Sequence, residues 1–231
     1  MFGRKKKVEA QDSVDEIDES ADSAQAAEIE EADETAEVDE WTELDLSQDW
    51  RLDGPFDIDE VDLTADDVKR IDLGAMILTP EQGMTITLVA SPNKEILHAI
   101  VNSSPKSAVQ LTVFAAPSAG NFRATMRDEI IDHTENAKVI EKGKGPFGTE
   151  VRRVVTTTDD NGREGFTPMR DWLIEGPRWV LNARLLGQAA LEEHGPDAIL
   201  LEEFVRNIIV RRGDEAMVPG SVVPLSAREE K

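Results

Sequence analysis

The residues able to do chemistry in this chain are few, and their spacing decides against most of it. His98, His133 and His194 show neither His-x-x-His nor His-Glu-x-x-His spacing, so nothing gathers them around a metal ion. Their neighbours assign His98 to a sheet face, His133 to a helix surface and His194 to a turn before the last helix. The chain has no cysteine, which excludes disulfides, thiol catalysis and thiolate metal sites. Gly143-Lys144-Gly145-Pro146-Phe147-Gly148 matches G-x-G-x-x-G letter for letter. A dinucleotide site needs that motif between a strand and a helix whose N-terminus receives the phosphate. Here it reads as following a helix and preceding a strand, so it is a turn. Asp159-Asp160-Asn161-Gly162 lacks the alternating ligands and terminal glutamate of a calcium loop and reads as a hairpin turn. No serine sits in G-x-S-x-G. The sequence therefore names no catalytic residue, metal or cofactor, and leaves open whether the protein is an enzyme.

Two groups remain as binding candidates. Lys142, Lys144, Arg152 and Arg153, against Glu150, give residues 142–153 a net charge of +3. Arg163, Arg170, Arg178 and Arg184 follow on the next hairpin, and Asn182 shares a strand face with Arg178 and Arg184. This is either an ordinary charged sheet face or a surface for an anion or an acidic segment. The second group is Trp41, Leu44, Leu46 and Trp50, set among acids. Such alternation makes a docking motif, or a short segment folded back on its own domain, and the cost of exposing an indole favours the latter for Trp50.

Positioning these groups falls to strands and two helices. Phe56 to Leu63 alternates apolar and acidic residues and reads as extended. Ile71–Leu78, Met84–Ala90, Glu95–Val101 and Ala108–Phe114, separated by turns bearing Pro, Gly, Ser or Asn, read as a four-stranded antiparallel meander. From Phe122 the apolar spacing Phe122, Met126, Ile130, Ala137, Ile140 predicts a helix ending by Gly143, with Arg123, Arg127, Asp128, Asp132 and Glu135 on its outer face. Glu150–Thr157, Met169–Glu175 and Arg178–Gly187 read as three further strands. In the last, Trp179, Leu181, Ala183 and Leu185 face one way and Arg178, Asn182 and Arg184 the other. A final helix starts at Pro196 with Leu201, Phe204, Val205 and Ile208 on its apolar side, and Arg211 and Arg212 are expected at its C-terminal end.

The formal charge of −23 over 231 residues is unevenly spread. Residues 1–67 hold 5 basic and 25 acidic side chains, so the remainder is almost neutral. Between Glu9 and Glu40 the only large apolar residues are Val14, Ile17, Ile29 and Val38, too few to offset the entropy of ordering the backbone, and disorder is expected there. The sequence divides into a basic-then-acidic arm (1–40), an extended docking segment (41–66), an α+β domain (67–213) and a loose tail (214–231). No apolar run is long enough to span a membrane, and the charge disfavours nucleic acid. The fold expected is α+β: an antiparallel sheet of about seven strands with two helices packed on it.

Four segments carry a resemblance: Gly54-Pro55-Phe56-Asp57-Ile58-Asp59-Glu60-Val61-Asp62, Arg70-Ile71-Asp72-Leu73-Gly74, Gly145-Pro146-Phe147-Gly148-Thr149-Glu150 and Gly176-Pro177-Arg178-Trp179-Val180-Leu181. With the acidic arm, they resemble an actinobacterial domain-of-unknown-function family over about Gly54 to Arg212. The resemblance implies a cytoplasmic bacterial protein and supplies no catalytic residues. The element order is similar to the Mog1/PsbP-like fold, a likeness of architecture only. Function then rests on two expectations. One is a non-enzymatic interaction or regulatory domain, partnered by a protein or masked by its own acidic arm. The other is a small-molecule or anion-binding domain using Gln110, Thr112, Asn182 and Arg184 on a polar sheet face.

Overall fold

The structure is a computed structural model that describes residues 39–158 and 162–226. The acidic arm up to residue 38, and Asp159, Asp160 and Asn161 of the expected hairpin turn, lie outside the described residues. In chain order the elements are α1 (Glu40–Leu46), β1 (Phe56–Asp57), β2 (Ile71–Asp72), β3 (Met76–Leu78), β4 (Thr85–Ala90), β5 (Ile96–Ser104), β6 (Ser107–Ala115), α2 (Phe122–Asp132), β7 (Ala137–Gly145), β8 (Gly148–Thr158), β9 (Glu164–Gly176), β10 (Trp179–Gly187), α3 (Gln188–Leu191), α4 (Pro196–Arg206) and β11 (Ile209–Val210).

Seven strands form one antiparallel sheet in the order β4-β5-β6-β10-β9-β8-β7. It consists of two meanders, β4–β6 and β7–β10, joined where β6 pairs with β10. The α+β class expected from the sequence is the one found. A second, four-stranded sheet of order β1-β11-β3-β2 was not foreseen.

Strand alternation divides the large sheet into an inner and an outer face. Trp179, Leu181, Ala183 and Leu185 of β10 point inward and are fully buried. They pack with Val109, Leu111 and Val113 of β6 against Leu201, Phe204 and Val205 of α4 and Met76, Leu78 and Val210 of the small sheet. Each such large apolar side chain contributes about 1.5–3 kcal/mol when fully buried. On the outer face Val180 and Leu173 meet Met126 of α2, with Phe114, Phe122 and Ile130 around them.

The turn between β9 and β10 explains one Gly-Pro segment. Trp179 stands opposite Gly176, and a Cβ on Gly176 would lie 2.1 Å from the indole ring. The bare glycine leaves the space the indole fills, and its Nε1 donates to Asp57 Oδ2 at 2.7 Å.

Several expectations are corrected. α2 stops at Asp132, and Ala137–Gly145 is the edge strand β7. His133 caps the helix, Asn136 takes a positive φ of 56°, and the β-branched pair Val139-Ile140 then runs antiparallel to β8. The apolar spacing that seemed to extend the helix had crossed a turn. Ile71–Leu78 breaks at Leu73-Gly74 into β2 and β3, which join the small sheet, so the first meander has three strands rather than four. After β1 the chain enters a short 3-10 turn at Ile58–Glu60, closed by a capping box between Asp57 and Glu60. Arg206 occupies the last turn of α4; Arg211 and Arg212 follow β11, where Arg211 Nη1 reaches Asp72 at 2.9 Å. Residues 220–226, which carry no periodicity, run along the end of β6 beyond its pairing with β5 and then meet the start of β5. There Val223 N donates to Val113 O and Leu225 N to Ile96 O, both at 2.8 Å.

Replacing Trp179 by alanine removes a fully buried indole and takes the indole donor from Asp57 Oδ2. We expect Trp179→Ala to cost about 3–5 kcal/mol in urea denaturation. A loss below about 1 kcal/mol would contradict this packing.

Candidate functional site

The cationic residues singled out from sequence do not form one surface. Neighbouring residues on a strand point to opposite faces, so Arg152 and Arg170 face inward while Arg153, Asn182 and Arg184 face outward with Lys142 and Lys144 of β7. Arg178 sits in the β9–β10 turn, donates to Gly213 O at 2.6 Å, and lies six residues along the strand from Arg184. It belongs to neither group.

Most of this positive charge is spent internally. On the inner face Glu150, 1% exposed, accepts Arg152 Nε at 2.6 Å, Arg170 Nη2 at 2.8 Å and Trp172 Nε1 at 2.7 Å. Arg170 also lies over the Trp172 ring, 5.7 Å from its centroid. Glu193, ahead of α4, takes Arg152 Nη2 at 3.1 Å. Beyond this cluster Val139, Val154, Pro168, Ala190 and Leu191 line a groove of about 220 Å³. On the outer face Asp171, fully buried, accepts Arg153 through Nε and Nη2 at 3.0 and 2.6 Å, Arg184 Nε at 2.7 Å and Asn182 Nδ2 at 3.3 Å. Arg153 Nη1 continues to Thr134 Oγ1 at 2.9 Å. Each nitrogen of Arg153 makes a hydrogen bond; Arg184 commits only Nε, and its two terminal nitrogens have no hydrogen bond among the described residues.

The docking segment is held by its acid more than by its aromatics. Asp45 of α1 is 2% exposed and is the one residue of that helix fully buried. Its Oδ2 accepts Arg127 Nη1 at 2.7 Å, its Oδ1 accepts the Thr149 main-chain N–H at 2.7 Å, and Arg123 Nε stands 3.5 Å away. Arg123 Nη2 also donates to the Asp45 carbonyl. Burial pushes the Arg123 guanidinium below its ordinary value, and the Asp45 charge offsets this. Gly148, at φ 102°, makes the cradle, since a Cβ there would lie 2.7 Å from Asp45 Oδ1. Around this centre Thr149 Oγ1 donates to Trp41 O, Trp50 Nε1 donates to Leu44 O, and Lys144 Nζ lies 5.7 Å from the Trp50 ring. Leu46 is exposed. Lys142 pairs with Asp128 at 3.3 Å and reaches Asp39 at 3.8 Å. Asp39 caps α1, and the main-chain N–H of Thr42 holds its carboxyl below the usual range.

Sequence reasoning placed Arg123 and Arg127 on the outer, solvent side of the helix, and that is corrected. Arg127 is 1% exposed, lying between α1 and the sheet. Asp45 and Asp171 were missed altogether. The available signal was the i,i+4 arginine pair combined with an acidic-apolar segment elsewhere in the chain.

Fold and clusters together define one α+β domain with a buried carboxylate on each face of its sheet and a short acidic helix strapped to the outer one. Residues 54–231 match the model of a family described as "Protein of unknown function (DUF3710)", and the chain belongs to that family. No curated protein matches it. No helix among the described residues is long and apolar enough to cross a membrane.

Glu150→Ala leaves Arg170 buried without its carboxylate and is expected to cost about 3–5 kcal/mol in urea denaturation; a change below about 1 kcal/mol would show that water replaces the carboxylate. The outer face has its own reporter. Burial and then the Arg184 charge hold His98 below its ordinary 6.5. The folded state binds this proton less readily than the unfolded chain, so His98 costs stability as pH falls through and below 6.5. NMR titration should find its midpoint below 6.5, and Arg184→Gln should raise it; an unchanged midpoint would remove Arg184 as a cause.

Proposed function

We propose that this is a non-enzymatic interaction or regulatory domain that receives a short acidic, tryptophan-bearing segment in the pocket formed by Arg123, Arg127, Gly148 and the Thr149 N–H. The observation that carries the reading is the occupancy of that pocket by Asp45. A seven-residue helix is too short to be stable by itself and buries only this carboxylate fully, so its position depends on the pocket more than on its own propensity. A domain that holds its own acidic segment this way is masked by it and opens to a better-matched segment supplied by a partner protein. We assign the self-masking to α1 because Lys142, Arg152 and Arg153 already have acidic partners. A binding role fits the two buried acids, since arginines of the domain itself occupy Glu150 and Asp171. A cytoplasmic bacterial setting is what the family resemblance implies. A Mog1/PsbP-like relationship agrees with the antiparallel sheet and its helices.

The test uses a fluorescent peptide of residues 38–51 added to the full chain and to its Asp45→Lys variant, whose own helix can no longer fill the pocket. The variant should bind the peptide, and the wild type at least about tenfold more weakly, because the tethered helix competes at an effective concentration of about millimolar. Adding Arg127→Gln should abolish binding. A peptide that binds neither chain, or binds both equally, would sink the proposal.

A further inference from the structure

A second concavity lies on the outer face, beside α2 and apart from the α1 pocket. It has a volume of about 350 Å³. Phe114, Met126 and Ile130 make one wall, and Arg153, Asn182 and Arg184 line it from the sheet. We propose that this cavity binds a small organic monocarboxylate that also carries an apolar body and a hydrogen-bond donor.

Three features select that chemistry. The first is charge. Arg153 and Arg184 share the single carboxylate of Asp171, leaving one positive charge over at the floor, with the exposed Glu129 at the rim. One surplus charge suits a monoanion better than a phosphate dianion. The free edge of Arg184 presents two parallel N–H donors, the geometry that matches the two oxygens of a carboxylate.

The second feature is an orphaned acceptor. Asn182 is only 6% exposed, and its Oδ1 has no hydrogen-bond partner among the described residues. Its orientation is fixed, because Nδ2 must face the acceptor Asp171 Oδ1 at 3.3 Å. A buried acceptor left unpaired costs about 1–3 kcal/mol, which a hydroxyl or N–H on the ligand recovers once the Asn182 side chain opens its covered oxygen to the cavity. The third feature is the apolar wall. The volume stands near the lower end of the range for small-molecule pockets, roughly 300–1,000 Å³, so the ligand is smaller than a nucleotide. The same strand alternation that buries Val180 under α2 points Asn182 and Arg184 to that face one and two steps further along, beside Met126 and Ile130 of α2.

The experiment is an NMR titration of the full chain, following the Arg184 Nε–H and the Asn182 side-chain amide. The probes are N-acetyl-L-leucine, which carries all three features, its uncharged amide N-acetyl-L-leucinamide, and inorganic phosphate. N-acetyl-L-leucine should shift both signals, with the amide and phosphate each at least about tenfold weaker, the worth of one charge-assisted contact. Arg184→Gln should weaken binding by about tenfold or more. Because that change also disturbs Asp171, Ile130→Trp is the second variant; it fills the wall, keeps the Arg184–Asp171 pair and should abolish the shifts. Equal shifts from acid and amide, tighter binding of phosphate, persistence of the shifts in Ile130→Trp, or no shift at about 10 mM of any probe would each overturn the proposal.

Discussion

A carboxylate removed from water is tolerable only where cations and N–H donors reach it, and adjacent strands of this sheet bury two. Glu150 on β8 and Asp171 on β9 point to opposite faces, and each is surrounded by arginines from its own face. A one-residue slip between β8 and β9 would turn every side chain of one strand over. With β9 turned over, Asp171 would come to the face of Glu150 and leave Arg153 and Arg184, and Arg170 would leave Glu150. The ion pairs therefore act less as a source of stability, which buried pairs seldom supply, than as a constraint on register. Everything on the outer face inherits that register: the position of Arg153 beneath Thr134, the free edge of Arg184, and the Thr149 N–H aimed at Asp45.

The same constraint changes what the charge of the chain means. A run such as Lys142–Arg153 looks like a basic surface when charges are counted along the sequence. In the fold these cations are divided between two faces: Lys142, Arg152 and Arg153 are matched to Asp128, Glu150, Asp171 and Glu193, and Lys144 lies over the Trp50 ring. What the domain offers an anion is a small number of arginine nitrogens held rigidly by a buried acid. Rigid donors lose little entropy when a ligand arrives, whereas lysines on a solvated face must first be ordered.

How much of this was legible depended on whether the deciding contact was local. The strands β4 to β6, β9 and β10 and the helix α4 showed their periods directly, because one face of each is buried in a continuous core. Met126 and Ile130 announced α2, but its end depended on Asn136 and on pairing with β8, a partner no window of sequence contains. Ile71–Leu78 read as one strand because its apolar residues are continuous; the break is a tight hairpin at Leu73-Gly74 that pairs β2 with β3, while β11, more than a hundred residues away, takes the other edge of β3. Arg127 was misplaced for a related reason. A charged residue opposite an apolar stripe belongs in water unless another element brings a counter-charge, and here α1 brings Asp45 across 82 positions of sequence.

The Gly-Pro segments that carried the family resemblance take their physical meaning from these distant contacts. Gly176 is bare because the Trp179 ring occupies the place of its side chain, and Gly148 because the Asp45 carboxylate does. The second case divides the molecule in an informative way. Arg123, Arg127, Gly148 and Thr149, which make the receptor, all lie within the matched residues 54–231, while α1, which fills it, lies before them. The pocket thus belongs to the family domain and its occupant to flanking sequence, joined by a short link from Ser47 to Asp53. Contacts through one carboxylate and a few main-chain groups demand little of the surrounding sequence, since any segment with an acid at the right distance from an aromatic residue can make them. Strands that hold the pocket and a helix attached through few contacts are what the proposed exchange of occupants requires, since one can leave without disturbing the other.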